Sequence, residues 1–198
     1  GEVRFNCAAR KIIIEDGKVS GVLTEHDDLI ATHYVVSNAS SLDTYIELME
    51  AEEAGEKQLN ILGGSTVGPS SLTLYIGLDC EPQDIGINEA TNFICTGTDM
   101  DKGFDRFKYV DASEDMVLLT CYNLVDPGFS PPGTTQLVIV DLKYADPWIE
   151  IPPADYFRVK NQAALQILQN VEQVFPGLRE HIEEIEVATP ITHMRYLG

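Results

Sequence analysis

The side chains with the widest chemical reach gather near the carboxyl end, in Thr189-Pro190-Ile191-Thr192-His193-Met194-Arg195-Tyr196. Hydroxyl, imidazole, guanidinium and phenol groups in one short stretch can orient a bound molecule through hydrogen bonds, although by itself the stretch reads as a polar exit from a strand. Asp99-Met100-Asp101-Lys102-Gly103-Phe104-Asp105 spaces its carboxylates much as a calcium loop does. Such a loop needs glycine at its sixth place and glutamate at its twelfth. Counted from Asp99, Gly103 is fifth and Val110 twelfth, so these acids are read as a helix cap.

His26, His33, His181 and His193 include no pair at metalloprotease spacing, and Cys7, Cys80, Cys95 and Cys121 form no Cys-x-x-Cys. No metal is expected, and the cysteines are read as reduced, mostly buried thiols. Gly63-Gly64-Ser65-Thr66-Val67-Gly68-Pro69 lacks the Lys-Ser/Thr ending of a phosphate loop and reads as a linker. With no Gly-x-Ser-x-Gly elbow, hydrolase chemistry has no support, and no residue is assigned to catalysis.

The charge excludes one class of partner. Lys and Arg number 13 against 32 Asp and Glu, a net charge of -19, and that negative field repels phosphate backbones. Nucleic acid is not expected. The sequence shows neither a long apolar run nor a charged-then-apolar leader, so a cytoplasmic or peripherally membrane-associated protein is expected. Asn38-Ala39-Ser40 fits the glycosylation tripeptide but reads better as the end of a strand.

The elements that must position these groups follow from periodicity. Apolar runs at Ile12 to Ile14 and from Val19 flank Asp16-Gly17, a hairpin signal, and a second turn at Asp27-Asp28 leads into Leu29 to Val36. Residues 1–38 therefore predict a three-strand meander, too small to bury both faces alone. Ser41 through Met49 predicts a helix over 41–59 with Ser41 or Asp43 as its cap. Ser71 to Asp79 alternates Leu72, Leu74, Ile76 and Leu78 with polar residues, and further strands are expected at 92–96, 116–125, 136–142 and 185–188. A long amphipathic helix spans Ala154 to Phe175 and stops at Pro176-Gly177. The fold class is α+β: a mixed, largely antiparallel sheet flanked by helices, with the amino-terminal meander.

Four separated segments carry a resemblance. They are the meander with Val35-Val36-Ser37-Asn38-Ala39, the strand ending Gly77-Leu78-Asp79, Thr98-Asp99-Met100-Asp101, and Thr189-Pro190-Ile191-Thr192. In this order the chain resembles the phytoene desaturase-like FAD-dependent oxidoreductases, in the branch of carotenoid isomerases and all-trans-retinol saturases.

The resemblance implies that residues 1–42 form the edge of a discontinuous FAD-binding domain, with Ala9, Asn38 and Ala39 beside the cofactor. The family usually has Val where Ala9 stands, which alters side-chain packing against the adenine. Residues 43–198 would form the substrate-binding domain, with Thr189, Thr192, His193 and Arg195 facing an apolar, isoprenoid or polyene substrate. Leu72, Leu74, Ile76, Leu137 and Ile139 would line its channel or fill its sheet core. No Gly-x-Gly-x-x-Gly occurs, so the family's main phosphate contacts are expected outside this sequence, and the 198 residues alone are expected neither to hold FAD tightly nor to turn over substrate. A related architecture serves Rab escort and GDP-dissociation-inhibitor proteins, which hold prenyl groups without catalysis. The meander's apolar face is expected to invite homo-oligomers.

Overall fold

Asp16 and Gly17 take positive φ values of 51° and 71°, the paired left-handed turn that matches strand twist, and reverse the chain between β1 (Ala9–Glu15) and β2 (Lys18–Thr24). The second reversal uses Asp27 at φ 65°, with the buried Thr24 hydroxyl taking the Asp28 N–H at 3.2 Å. β3 (Leu29–Ala31) is shorter than the sequence pattern suggests. The Thr32 hydroxyl exchanges hydrogen bonds with the backbone of Tyr34, turning the chain out of the sheet. Of these strands β2 is central, and all pairing is antiparallel.

Gly21 is required where β2 and β3 meet, because a Cβ there would come within 2.8 Å of the Ile30 carbonyl oxygen. Gly21→Ala is expected to cost roughly 1–3 kcal/mol locally. Amide exchange should accelerate at Ala31, its partner in register, while the larger sheet keeps its protection.

The helix expected over 41–59 is broken into three pieces. A π-turn covers Asp43–Glu47, followed by α1 (Ala51–Ala54) and α2 (Glu56–Gly63). The Leu48 carbonyl accepts from Ile12 N–H of β1 at 2.7 Å instead of continuing a helix, and Gly55 at φ 77° separates α1 from α2. The cap is Ser40, whose hydroxyl takes the Asp43 N–H at 3.0 Å, rather than Ser41 or Asp43.

The structure describes residues 1–197, which form two compact units, Gly1–Val67 with Leu197, and Gly68–Tyr196. Among the described residues of the first, Ile12 is the one buried apolar side chain, as a three-strand sheet dictates.

The second unit holds a five-stranded sheet in the order β5 (Thr91–Ile94), β6 (Val117–Cys121), β7 (Thr135–Lys143), β4 (Ser70–Leu78), β8 (Ile182–Ala188). Every pairing is antiparallel. Three helices precede the last strand: α3 (Met100–Arg106), α4 (Asp146–Ile149) and α5 (Tyr156–Val174). α5 buries Ala163, Ala164, Ile167, Leu168 and Val171, one face at helical spacing, within a core shared with Leu72, Leu74, Ile76, Leu119, Leu137 and Ile139. Gly177 at φ 87° follows Pro176 and completes the stop. Asp99 caps α3 by accepting the Lys102 N–H at 3.2 Å, which accounts for the calcium-like spacing. Of the cysteines, all free, Cys80 and Cys121 are buried, Cys7 is half-buried and Cys95 exposed, so the thiols are less buried than their type suggests.

Candidate functional site

Side chains alternate faces along a strand, so the burial of one set leaves the other set on the opposite surface. Leu72, Leu74, Ile76, Leu137 and Ile139, the residues that could have lined a channel, belong to the closed core. The opposite register is open. Thr73 pairs with Val140, Tyr75 with Val138 and Ser71 with Leu142 across β4 and β7. Leu118 pairs with Val140 and Thr120 with Val138 across β6 and β7, and Phe93 pairs with Leu118 at the β5 edge.

This second face mixes exposed and half-buried apolar side chains with Thr120, Gln136 and the buried Thr73. Phe93 is 70% exposed, Tyr75 47% and Leu142 40%, while Leu118, Val138 and Val140 are half-buried. A sheet face of this composition suits a flat or rod-like apolar molecule. Glu184 and Glu186, paired with Gly77 and Tyr75, border it on β8. Of the two roles the sequence left open for Leu72, Leu74, Ile76, Leu137 and Ile139, sheet core is the one the structure gives them, and the sequence did not single out the opposite face. The usable signal was Tyr75 and the β-branched pair Val138 and Val140 at positions a half-exposed strand would leave polar.

Polar groups close one end of this face. α6 (Pro190–Leu197) begins immediately after β8, so the stretch read as a strand exit is a helix. Proline at its first position costs no hydrogen bond, and the Thr189 hydroxyl accepts the Thr192 N–H at 3.4 Å as cap. Thr189 is buried, and its hydroxyl lies 2.6 Å from the Tyr156 phenol. The His193 Nε2 lies 3.1 Å from the Ser71 hydroxyl and 3.3 Å from that of Thr73, placing the imidazole at the open face. Burial holds His193 below its ordinary pKa of 6.5, so the ring is neutral at pH 7 and can donate through one nitrogen and accept through the other. Arg195 is exposed, its guanidinium 5.9 Å from the Tyr196 ring. The structure thus joins Thr189, Thr192 and His193 into one corner and leaves Arg195 on the outer turn.

A depressed imidazole pKa means that the unfolded chain takes up a proton before the folded one. Stability present above 6.5 is therefore lost as pH falls below it. Acidification from about pH 7.5 to about pH 5 is expected to loosen this corner, read as faster amide exchange in α6, and His193→Gln should flatten that response.

The residues assigned to the cofactor lie in the first unit, all exposed. Ala9 lines a cavity of about 320 Å³ with Arg4, Cys7, Val22, Thr24 and Ile30. Ala39 lines another of about 300 Å³ with Ile12, Ser37, Thr44 and Tyr45. Asn38 lines neither, so the three do not converge on one pocket. Small side chains on apolar ledges fit the flat adenosine end of a dinucleotide, but the sequence supplies no Gly-x-Gly-x-x-Gly for the diphosphate.

The second unit is thus an α+β fold with one sheet face left open, and the first is a small antiparallel meander with short helical turns. No protein-family model matches the chain. Similarity to individual proteins is extensive: it is 27% identical over its full length to prolycopene isomerase of Arabidopsis thaliana, covering 32% of that protein. It is 23% identical over 100% of its length to the all-trans-retinol 13,14-reductase of Danio rerio, covering 36% of it. A lycopene-forming phytoene desaturase of Pseudescherichia vulneris is 24% identical over 96% of the chain and 38% of that enzyme. A solved oxidoreductase from Methanosarcina mazei aligns with a TM-score of 0.48 at 17% identity, over 91% of this chain and 36% of that one. The chain is thus similar over 96% or more of its length to these carotenoid and retinoid enzymes, and spans about a third of the length of these curated relatives.

Proposed function

We propose that this chain is the substrate-binding portion of an FAD-dependent oxidoreductase of the desaturase, saturase or isomerase type, acting on an apolar isoprenoid or polyene. The observation that carries the reading is the open sheet face of Phe93, Leu118, Val138, Val140, Leu142 and Tyr75, in a chain whose relatives are named for carotenoids and retinol. In this reading residues 1–42 belong to the edge of the FAD-binding domain and residues 43–198 to the substrate domain. The names of the relatives, isomerase, reductase and desaturase, favour catalysis over the prenyl-holding alternative.

When bound, FAD would supply hydride or electron exchange with the polyene. The work of this chain is orientation and exclusion of water. Ala9 and Ala39 would lie against the adenosine half, with Asn38 offering a side-chain amide at the end of the same segment. Apolar side chains on β4, β6 and β7 would hold the polyene flat, and the neutral His193, with Ser71 and Thr192 near it, would meet a polar end or exclude solvent there. The exposed apolar residues of the first unit, among them Val3, Phe5 and Val36, support self-association of the isolated chain.

The test uses the complete protein that carries this sequence. Purified and reconstituted with FAD, it should show bound flavin absorbance that changes when a poly-cis carotenoid or retinol is added without oxygen. Colourless protein after reconstitution, or flavin indifferent to every polyene offered, would overturn the reading.

A further inference from the structure

Outside the open face, one cluster brings together three different metal-binding side chains. Asp79 and Cys80 follow the end of β4, and His181 ends the short 3-10 turn Leu178–His181 before β8. One ligand atom from each, a carboxylate oxygen, the thiol sulfur and an imidazole nitrogen, lies within 4.8 Å of the other two. Residues 101 positions apart in the chain, from Cys80 to His181, cannot reveal this by spacing, which is why the sequence gives no metal signal.

The surroundings are built rather than loose. Asp79 N–H donates to the His181 carbonyl at 3.1 Å, fixing the two backbones together. The buried Thr135 hydroxyl donates to the Cys80 carbonyl at 2.6 Å, and Gly133 N–H holds Glu81 at 2.9 Å. His181 Nδ1 lies 2.7 Å from Asp79 Oδ1, which orients the ring. Cys80 is buried, whereas the Asp79 and His181 side chains are 50% and 39% exposed, so an ion has a way in over a buried sulfur.

The local charge favours a cation. Asp79 is itself a donor, and Glu81 and Asp84 follow Cys80 closely in the chain, so negative charge gathers here and lowers the energy of a positive ion.

We propose that Asp79, Cys80 and His181 form a three-donor site for a borderline-soft divalent cation, zinc being the best match, with one coordination position left for solvent. Sulfur, nitrogen and oxygen donors together select zinc over calcium or magnesium, which take oxygen ligands. Binding breaks the Cys80 S–H bond, forms the metal–sulfur bond and releases that proton to solvent, so affinity rises with pH. The ion would clamp the ends of β4 and β8 together and is independent of the flavoenzyme reading.

Cobalt(II), added to the reduced chain, is the probe. A sulfur-to-cobalt charge-transfer band with tetrahedral visible absorption is expected, removable by stoichiometric zinc. Cys80→Ser should abolish the charge-transfer band, and His181→Gln, a more exposed change that leaves the buried thiol in place, should weaken cobalt binding at least about tenfold. Zinc should raise the melting temperature of the parent chain and not that of Cys80→Ser. No band at saturating cobalt, or binding equal in the parent, Cys80→Ser and His181→Gln, would overturn the site and leave only weak attraction to the acidic surface.

Discussion

Lys143→Met is expected to destabilise the protein by about 3–5 kcal/mol, because it leaves the buried Asp115 carboxylate without its closest cation. The Lys143 ammonium is fully buried on the core side of β7. It pairs with Asp115, lies 3.5 Å from Asp141 Oδ2 and donates to the Asp111 carbonyl at 2.9 Å. Arg106 reaches the same group, with Nε 3.4 Å from Asp115 and a further pair to Asp111. Asp141 has no hydrogen bond on either oxygen. Burial pushes its carboxyl up to about 8, with Lys143 pulling it down and the Asp115 charge pushing it further up.

The pH dependence follows from that direction. Between the ordinary 3.8 and about 8 the folded protein keeps a proton on Asp141 that the unfolded chain has lost, so stability falls as pH rises across this window. Asp141→Asn should remove the slope and stabilise the protein by on the order of 2 kcal/mol at about pH 8. Added to Lys143→Met, it should recover part of the loss. Urea denaturation at about pH 5 and about pH 8 reads both effects. A Lys143→Met protein as stable as the parent, or an Asp141→Asn protein with an unchanged pH slope, would contradict the buried triad.

The second large effect concerns the open sheet face. Val140 sits at its centre, between Thr73 on β4 and Leu118 on β6. Val140→Asp is expected to weaken polyene binding about 100-fold or more, because a carboxylate must be stripped of water beneath an apolar ligand. Folding should suffer less, by roughly 1–2 kcal/mol, since the residue is half-buried and its new charge can still reach solvent in the free protein. Val140→Leu serves as the size control and should bind within a few-fold of the parent. Trp148, the one tryptophan and fully buried, gives the readout, since its emission is quenched by energy transfer to a bound polyene. Equal quenching in Val140→Asp and the parent would place the ligand elsewhere.

The parts of the fold legible in the sequence were those set by local chemistry. Asp16-Gly17 announced its hairpin because both residues tolerate positive φ, and the long α5 stripe announced its buried face. The helix over 41–59 misled because its interruption is tertiary: the Leu48 carbonyl is taken by Ile12, a partner far away in sequence. Likewise Gln166 holds the Asp111–Ala112 loop through both ends of its amide, a role without local signature.

The candidate site was half legible. Alternation located the right strands and left Leu72 and Leu74 as core or lining; the structure buries them in the core, and the apolar side chains on the other face include Tyr75, Val138 and Val140. His193 was singled out for its chemistry. Its contact with Ser71 and Thr73 depends on α6 folding back over the end of β4 and could not be read from neighbours in sequence.

Photo-crosslinking with a retinoid or carotenoid that carries a diazirine, followed by peptide mapping, tests the central claim most directly. Labels should fall on Phe93, Leu118, Tyr75, Val138 and Val140, compete with unlabelled polyene and decline in Val140→Asp. Labels confined to α5, to the meander or to no defined peptide would contradict the assignment of this face to the substrate.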